Sequence, residues 1–428
     1  MYVYPQSVYK RGDSEYCIAV TDGVAVLSVS GSDIALFDGT ETSQAGVPVK
    51  LCPLTVANSK IIRKLFDFTN PGSHKGSKTT IGLGDRLGLA TPGHIRAVRD
   101  LEVFPVFAQQ SMRELNLTGR TYDDVLAAAV WAVFREGYTK GYGADGDHLK
   151  THDEIKHAID CGYTMITLDC SEHIQGDLES SSEAVIKHVI SIYNDLIKGT
   201  DVDFEVSIDE TLTATSPQSH YSVARELIKQ GVEITSLAPR FVGEFQKGID
   251  YIGSVSGFEQ DFLEHKKIAE ELGYKLSIHS GSDKFSIFPV IGRLTGGKFH
   301  LKTAGTSWLE AVRVIAQHEP ELYREMHIFA LDNLQEAKKY YSITENTSNI
   351  ADINNIEDTA LVDYLDQDDA RRVLHITYGL ILLAKTKSGE PLFRDRIYKA
   401  LNTYESEYSA ALDKHIGKHL YALGQVNK

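Results

Sequence analysis

The sequence predicts an α/β protein built on a (β/α)8 TIM-like barrel, with a small β-rich N-terminal element and a helical C-terminal extension. Three observations lead there. Between about residues 78 and 310, eight short apolar segments alternate with helical patterns. Ahead of them lie β-branched runs broken by a turn signal. After about residue 311 the strand signals fade and helical texture remains. The expected division is 1–75, 76–310 and 311–428. A doubly wound open sheet is the competing architecture.

The N-terminal run EYCIAVTDGVAVLSVSG breaks at Asp22-Gly23, a hairpin signal, and Asp33–Gly39 predicts a third strand. This small sheet is expected to be a cap or an oligomer contact. The barrel strands are expected in segments 79–85, 103–109, 142–148, 164–170, 204–210, 234–240, 275–281 and 299–305. Helical patterns lie between most of them, at Tyr122–Glu136, Thr151–Cys161, Glu183–Ile197, Tyr221–Gln230, Glu259–Leu272 and Thr306–Ala316. A polar link is expected near Thr344–Asp358.

Composition excludes several classes. Of 428 residues, 42% are hydrophobic and 24% charged, enough apolar surface to fold and unlike a disordered chain. With 59 acids against 44 bases the net charge is −15, which repels phosphates, so no nucleic-acid partner is expected unless a local basic patch overrides the average. The longest apolar run, Val125–Phe134, is about half a membrane span, so no membrane association is expected. The start, MYVYPQSVYKRGDSEY, has no apolar signal core, and the 4 cysteines form no C-x-x-C pair. Free thiols in a cytoplasmic protein are the expectation.

Side chains along a strand alternate between faces. In the fourth barrel strand Ile166 and Leu168 share one face, Thr167 and Asp169 the other. The fifth sets Val206 and Ile208 against Ser207 and Asp209; the seventh sets Leu276 and Ile278 against Ser277 and His279. The eighth places Phe299 and Leu301 outward, His300 and Lys302 inward. Inward titratable groups at one end of a barrel are costly alone, but several can share a cation or a substrate. Barrel sites lie at the carboxyl ends of strands.

The third strand ends Asp145-Gly146-Asp147-His148, where regular alternation would separate Asp147 from His148. A strand leaving the sheet can break that rule and bring both to the site; a helix cap by Asp147 is the alternative. Glu210 and Glu244 follow strand ends as candidate acids or bases, and Arg240 could fork a carboxylate. The turn at Gly305 opens a helix and could hold an anion, or be an ordinary cap at Thr306 or Ser307. The glycines at 82, 84 and 88 lack dinucleotide spacing. Gly292 to Gly297-Lys298 mimics a phosphate loop, but Phe299 stands where Ser or Thr is needed.

Seven ordered blocks carry a family resemblance: GLGDRLGLATPGHI (82–95), GADGDHLKT (143–151), TLDCSEHI (167–174), SIDE (207–210), APRFVGEFQKGIDY (238–251), SIHSGSDKFS (277–286) and FHLKTAGTS (299–307). Together they resemble the tagaturonate epimerases, which interconvert tagaturonate and fructuronate in hexuronate breakdown. The resemblance implies a cytoplasmic, divalent-metal-dependent isomerase on a sugar acid. It implies Asp147 as proton acceptor, Glu244 as proton donor, and His148 and His279 as metal ligands. His300 is the chosen third ligand, with His327 as rival. Lys302, Arg240, Asp209 and Gly305 are expected to bind substrate. Zn, Mn, Fe, Co or Ni would suit such ligands.

The inverted carbon is β to the ketone, so direct enolisation does not reach it. Retro-aldol cleavage, rotation and re-addition is the expected route; transient oxidation by a nicotinamide lacks its sequence fingerprint. Another metal-dependent aldolase or ketose isomerase would use similar residues. A non-catalytic sugar-acid binding protein, or an assembly scaffold built from the two ends, is the reading from other classes. Homo-oligomerisation is left open.

Overall fold

The computed structural model describes residues 2–426 except 45 and 342. The N-terminal strands are β1 (Tyr2–Val3), β2 (Tyr9–Arg11), β3 (Ser14–Thr21), β4 (Val24–Ser30), β5 (Thr40–Gln44) and β6 (Val47–Pro53). They form an antiparallel sheet in the order β1-β3-β4-β6-β5, with β2 paired to β3. Asp22 (φ 51°) and Gly23 (φ 78°) are both left-handed, the geometry that matches a tight hairpin to strand twist, and Thr21 pairs with Val24 across it. The third strand expected at Asp33–Gly39 is not formed. A 3-10 turn, Ser32–Leu36, takes its place, because Asp33 bonds sideways: its N–H donates to Ser14 Oγ at 2.9 Å and its carboxylate accepts from Arg11 at 3.1 Å.

One face of this sheet packs on the chain's own barrel. Tyr9 lies 4.6 Å from Phe134 and Tyr16 lies 5.1 Å from Phe66, ring centre to ring centre. Phe134 belongs to helix Tyr122–Glu136, whose apolar run is buried there.

Eight parallel strands close the barrel in chain order: β7 (Thr79–Leu83), β8 (Val103–Ser111), β9 (Gly143–Leu149), β10 (Met165–Asp169), β11 (Asp203–Ile208), β12 (Ser236–Pro239), β13 (Lys275–Ile278) and β14 (Phe299–Thr303). β14 pairs with β7, Phe299 opposite Thr79, which removes every edge. The outward set Ile166, Leu168, Val206, Ile208, Leu276, Ile278, Phe299 and Leu301 is buried in the core beneath the helices. The inward set is polar and equally buried, Thr80, Asp145, Thr167, Glu205, Ser207, Ser236, Ser277, His300 and Lys302. The block at 82–95 is an element of architecture: Asp85 accepts the N–H groups of Leu87, Gly88, Leu89, Ala90 and Thr91, which caps the entry to helix Thr91–Val98.

Helix Thr306–His318 runs across the expected boundary at 310/311. Its Trp308, Leu309, Val312 and Ile315 share a second core with Tyr323 and Met326 of helix Pro320–Asp332 and with Leu365, Val373 and Leu374. The stretch expected as a polar link holds two short 3-10 turns, Thr347–Asn349 and Ile353–Asn355. Helix Glu405–Ala422 returns to pack on helix Thr91–Val98. Among the described residues no helix is long and apolar enough to cross a membrane.

Candidate active site

The end of β9 resolves the conflict between Asp147 and His148. Asp145 and Asp147 point to the axis by alternation; His148 takes a left-handed backbone (φ 54°), and the pairing with β10 slips by a residue beside it. That conformation is costly for a residue with a Cβ and swings the imidazole toward Asp147, whose Oδ1 lies 2.7 Å from Nδ1. Just past the end of β13, His279 reaches the same place. Its Nε2 lies 2.8 Å from Glu205 Oε1 and its Nδ1 lies 3.0 Å from Asp209 Oδ1. His148 Nε2 stands 3.7 Å from that same Asp209 oxygen.

Two imidazoles therefore each have one nitrogen held by a carboxylate and the other turned to Asp209. His148, Asp209 and His279 have ligand atoms within 4.8 Å of one another. This fits a divalent ion: a second-row carboxylate on the far ring nitrogen is the usual way a ligating histidine is oriented. Burial would lower both imidazoles, but Asp147 and Asp209 hold His148 well above its ordinary pKa, and Asp209 with Glu205 raises His279. Burial would raise Asp209, yet the two imidazoles keep it well below the carboxylate range. Three carboxylates, Asp147, Glu205 and Asp209, thus surround the two imidazoles, and a divalent ion bound there would take the place of the imidazole protons.

Lys302 sits beneath, 2.7 Å from Asp145, 2.8 Å from Asp147 and 3.0 Å from Glu205. Against burial, these carboxylates hold its ammonium well above the ordinary lysine value. Three carboxylates share one ammonium, so they cannot all be equally favoured as anions. Burial leaves Asp145 raised to about 6 despite Lys302, while Lys302 and the histidines keep Asp147 and Glu205 well below the usual range.

The expected third ligand needs correction, and three other inward residues are placed by the structure as follows. His300 does not join His148 and His279. It lies level with Ser277, two residues and roughly 6–7 Å down the barrel from the mouth. There its Nδ1 bonds Thr80 Oγ1 at 2.7 Å and its ring stacks on His74. The rival, His327, is buried in the helical extension between Tyr323 and Tyr364. Asp209, expected to bind substrate, lines the cavity and stands between the two imidazoles. Lys302, expected to grip a carboxylate, has its charge already neutralised from within the barrel. Asp169, also inward by alternation, turns back to accept the Ser171 N–H at 2.8 Å and lies outside the cavity.

The cavity over this centre measures about 610 Å³ and opens at the carboxyl ends of the strands. Asp147, His148, Asp209, His279 and Lys302 line its floor, with Glu244, Arg240 and Gly305 around it. Glu244 is exposed, its backbone paired with Ile252, its carboxylate accepting from Gln246 at 2.6 Å. Arg240 makes no ion pair among the described residues. Gly305 precedes helix Thr306–His318, and any Cβ there would overlap the ring of His375.

Alternation alone would have found Glu205 and Asp145, each two residues before an inward group already recognised. Lys247 and His375 also line the cavity but come from a loop and from the extension, where no period marks them. A second cluster, Asp283, His415 and His419, has its atoms engaged internally. His419 Nε2 accepts the Asp283 N–H at 2.9 Å, and Arg371 occupies the carboxylate at 2.9 Å. It locks helix Glu405–Ala422 to the loop after β13.

The tagaturonate epimerase family model matches residues 4–185 and 181–423. A tagaturonate/fructuronate epimerase of Thermotoga maritima is 36% identical, covering 98% of this chain and 96% of that one. The glycerol-bound crystal structure of a fructuronate-tagaturonate epimerase from Cohnella laeviribosi is 45% identical with a TM-score of 0.96, covering 99% of this chain and 97% of that chain. The native form of that enzyme gives 44% identity and a TM-score of 0.95, with the same coverage. The order of blocks, the closed barrel and the length of the match agree: the chain belongs to the tagaturonate epimerase family.

Proposed function

We propose that this epimerase interconverts D-tagaturonate and D-fructuronate at the barrel mouth, with a divalent cation held by His148 Nε2, His279 Nδ1 and Asp209. The observation that carries the reading is the convergence of both free ring nitrogens on one Asp209 oxygen, under a cavity walled by Arg240 and Lys247. Bound there, a divalent ion would supply Lewis-acid stabilisation to oxygens of the keto acid. Zn, Mn, Fe, Co and Ni all accept such a nitrogen and oxygen set.

The chain's own groups would do the rest. Asp147 takes the proton from the hydroxyl on the carbon β to the ketone; the bond between that carbon and its neighbour on the ketone side then breaks, leaving an aldehyde fragment and an enediolate. The aldehyde rotates, the bond re-forms on its other face, and the new alkoxide takes a proton from Glu244. Each proton transfer is worth about 10²–10⁴-fold. Lys302 stays protonated and holds Asp147 as an anion. Arg240 and Lys247, which have no carboxylate partner among the described residues, hold the substrate carboxylate. A cytoplasmic location suits sugar-acid breakdown and the four free cysteines.

Incubating the purified chain with tagaturonate, with and without chelator, and separating the products tests this. Fructuronate should form, vanish with chelator and return with an added divalent ion. Full turnover without metal would remove the cation from the scheme; accumulation of three-carbon fragments would make the protein an aldolase.

A further inference from the structure

We infer that His375, brought to the barrel mouth by the C-terminal extension, binds the carboxylate of the sugar acid through one ring nitrogen, together with Lys247. This deepens the reading above and rests on it. His375 lies on helix Asp368–Ile376 and is 1% exposed, yet neither of its ring nitrogens has a hydrogen-bond partner. An unpaired buried imidazole costs stability and needs a reason. The ring lines the cavity, so its missing partner can be a ligand.

The surroundings are built to keep it there. Gly305 leaves the space the ring fills, since a side chain at that position would overlap Cε1. At Gly248 (φ 78°) a Cβ would stand 3.2 Å from Nδ1. Arg371 Nε donates to Gly248 O at 2.7 Å, and Lys284 Nζ donates to Gln246 O and Ile249 O at 2.9 and 2.6 Å. These bonds clamp the short loop that carries Lys247, whose Nζ donates to Ser280 Oγ at 2.8 Å.

Of the other cations at this wall, Arg240 also stands unpaired among the described residues, while two arginines are engaged. Arg86 pairs with Glu114 at 3.0 Å and Arg113 with Glu210 at 3.5 Å. Lys247 forms no ion pair among the described residues and supplies the charge. Burial, with Arg86 and Lys247 nearby, keeps His375 neutral, so it offers one donor and one acceptor. A carboxylate oxygen of the substrate takes that N–H. A neutral ketose has no carboxylate for that contact.

The test measures KM and kcat for tagaturonate and for tagatose in the holoenzyme carrying His375→Phe, His375→Gln or Gly305→Ala. The Phe variant should raise KM for tagaturonate tenfold or more, with kcat falling less, and should shrink the kcat/KM preference for tagaturonate over tagatose by a similar factor. Gln, which keeps a donor and an acceptor, should recover much of the affinity. Gly305→Ala displaces the ring and should raise KM with His375 still present. If the Phe variant does not fold, Gly305→Ala decides. An unchanged KM and an unchanged preference overturn the assignment. A wild-type chain that turns over no tagaturonate refutes the activity itself; calorimetric binding of tagaturonate then makes the same comparison for His375.

Discussion

Nε2 of His279 lies 2.8 Å from Oε1 of Glu205, and that bond selects which ring nitrogen faces Asp209. Glu205 is fully buried and also touches Lys302 at 3.0 Å. Replacing it by Gln keeps the size and removes the charge. We expect Glu205→Gln to weaken divalent-metal affinity about 10–100-fold, the usual effect of losing such an outer partner. Titration of the metal against a competing chelator measures it. Unchanged affinity would leave Glu205 only the task of neutralising Lys302.

His148 combines a left-handed backbone with an imidazole turned toward Asp209. Asparagine tolerates that backbone; valine does not. His148→Asn should keep its melting temperature within a few degrees while losing metal and nearly all turnover. His148→Val should lose both stability and metal. Metal content per chain and thermal melts separate the two, and a metal-replete, active Asn variant would remove His148 from the ligand set.

Lys302 is the common counterion of Asp145, Asp147 and Glu205. Lys302→Met would leave buried Asp145 without a cation and Asp147 and Glu205 with only their imidazole partners, a change expected to cost about 3–5 kcal/mol in denaturant unfolding at neutral pH. The loss should shrink at lower pH, because the orphaned carboxylates would take up protons more readily than in the unfolded chain. A loss that does not vary with pH would mean that packing, not charge, dominates.

Burial holds His265 and His327 down at about 4, against 6.5 for a free imidazole. Between those values the unfolded chain binds more protons than the folded one. Their contribution is therefore complete above pH 6.5 and is lost as the pH falls toward 4, by roughly 3 kcal/mol for each group. Melting temperature should fall between pH 7.5 and pH 5, and His327→Gln should flatten that slope. An identical slope in the variant would assign the pH dependence elsewhere.

Asp283 joins Arg371, His415 and the backbone contact to His419 in one buried knot. Asp283→Ala should destabilise the chain by about 3–5 kcal/mol, since it leaves Arg371 buried without its partner. It should also loosen helix Glu405–Ala422, read as faster amide exchange there. Unchanged exchange would mean that the apolar contacts of that helix suffice.

The barrel is legible in the chain because its signals are local. A two-residue alternation needs only burial on one side, and a left-handed Asp-Gly pair needs only its own backbone. The inward placement of Ser207, Asp209, Ser277 and His279 follows from the same period, and the resemblance adds the family. What alternation does not contain is depth along the axis. His300 and Lys302 share a face, but stagger between strands sets one level with Ser277 and the other among three carboxylates. Asp209, not His300, therefore stands beside His148 and His279. The left-handed turn at His148 and the approach of His375 to Gly305 depend on segments far apart in sequence. Only packing across those distances could decide them, because close approach in the folded chain leaves no periodic trace in the order of residues.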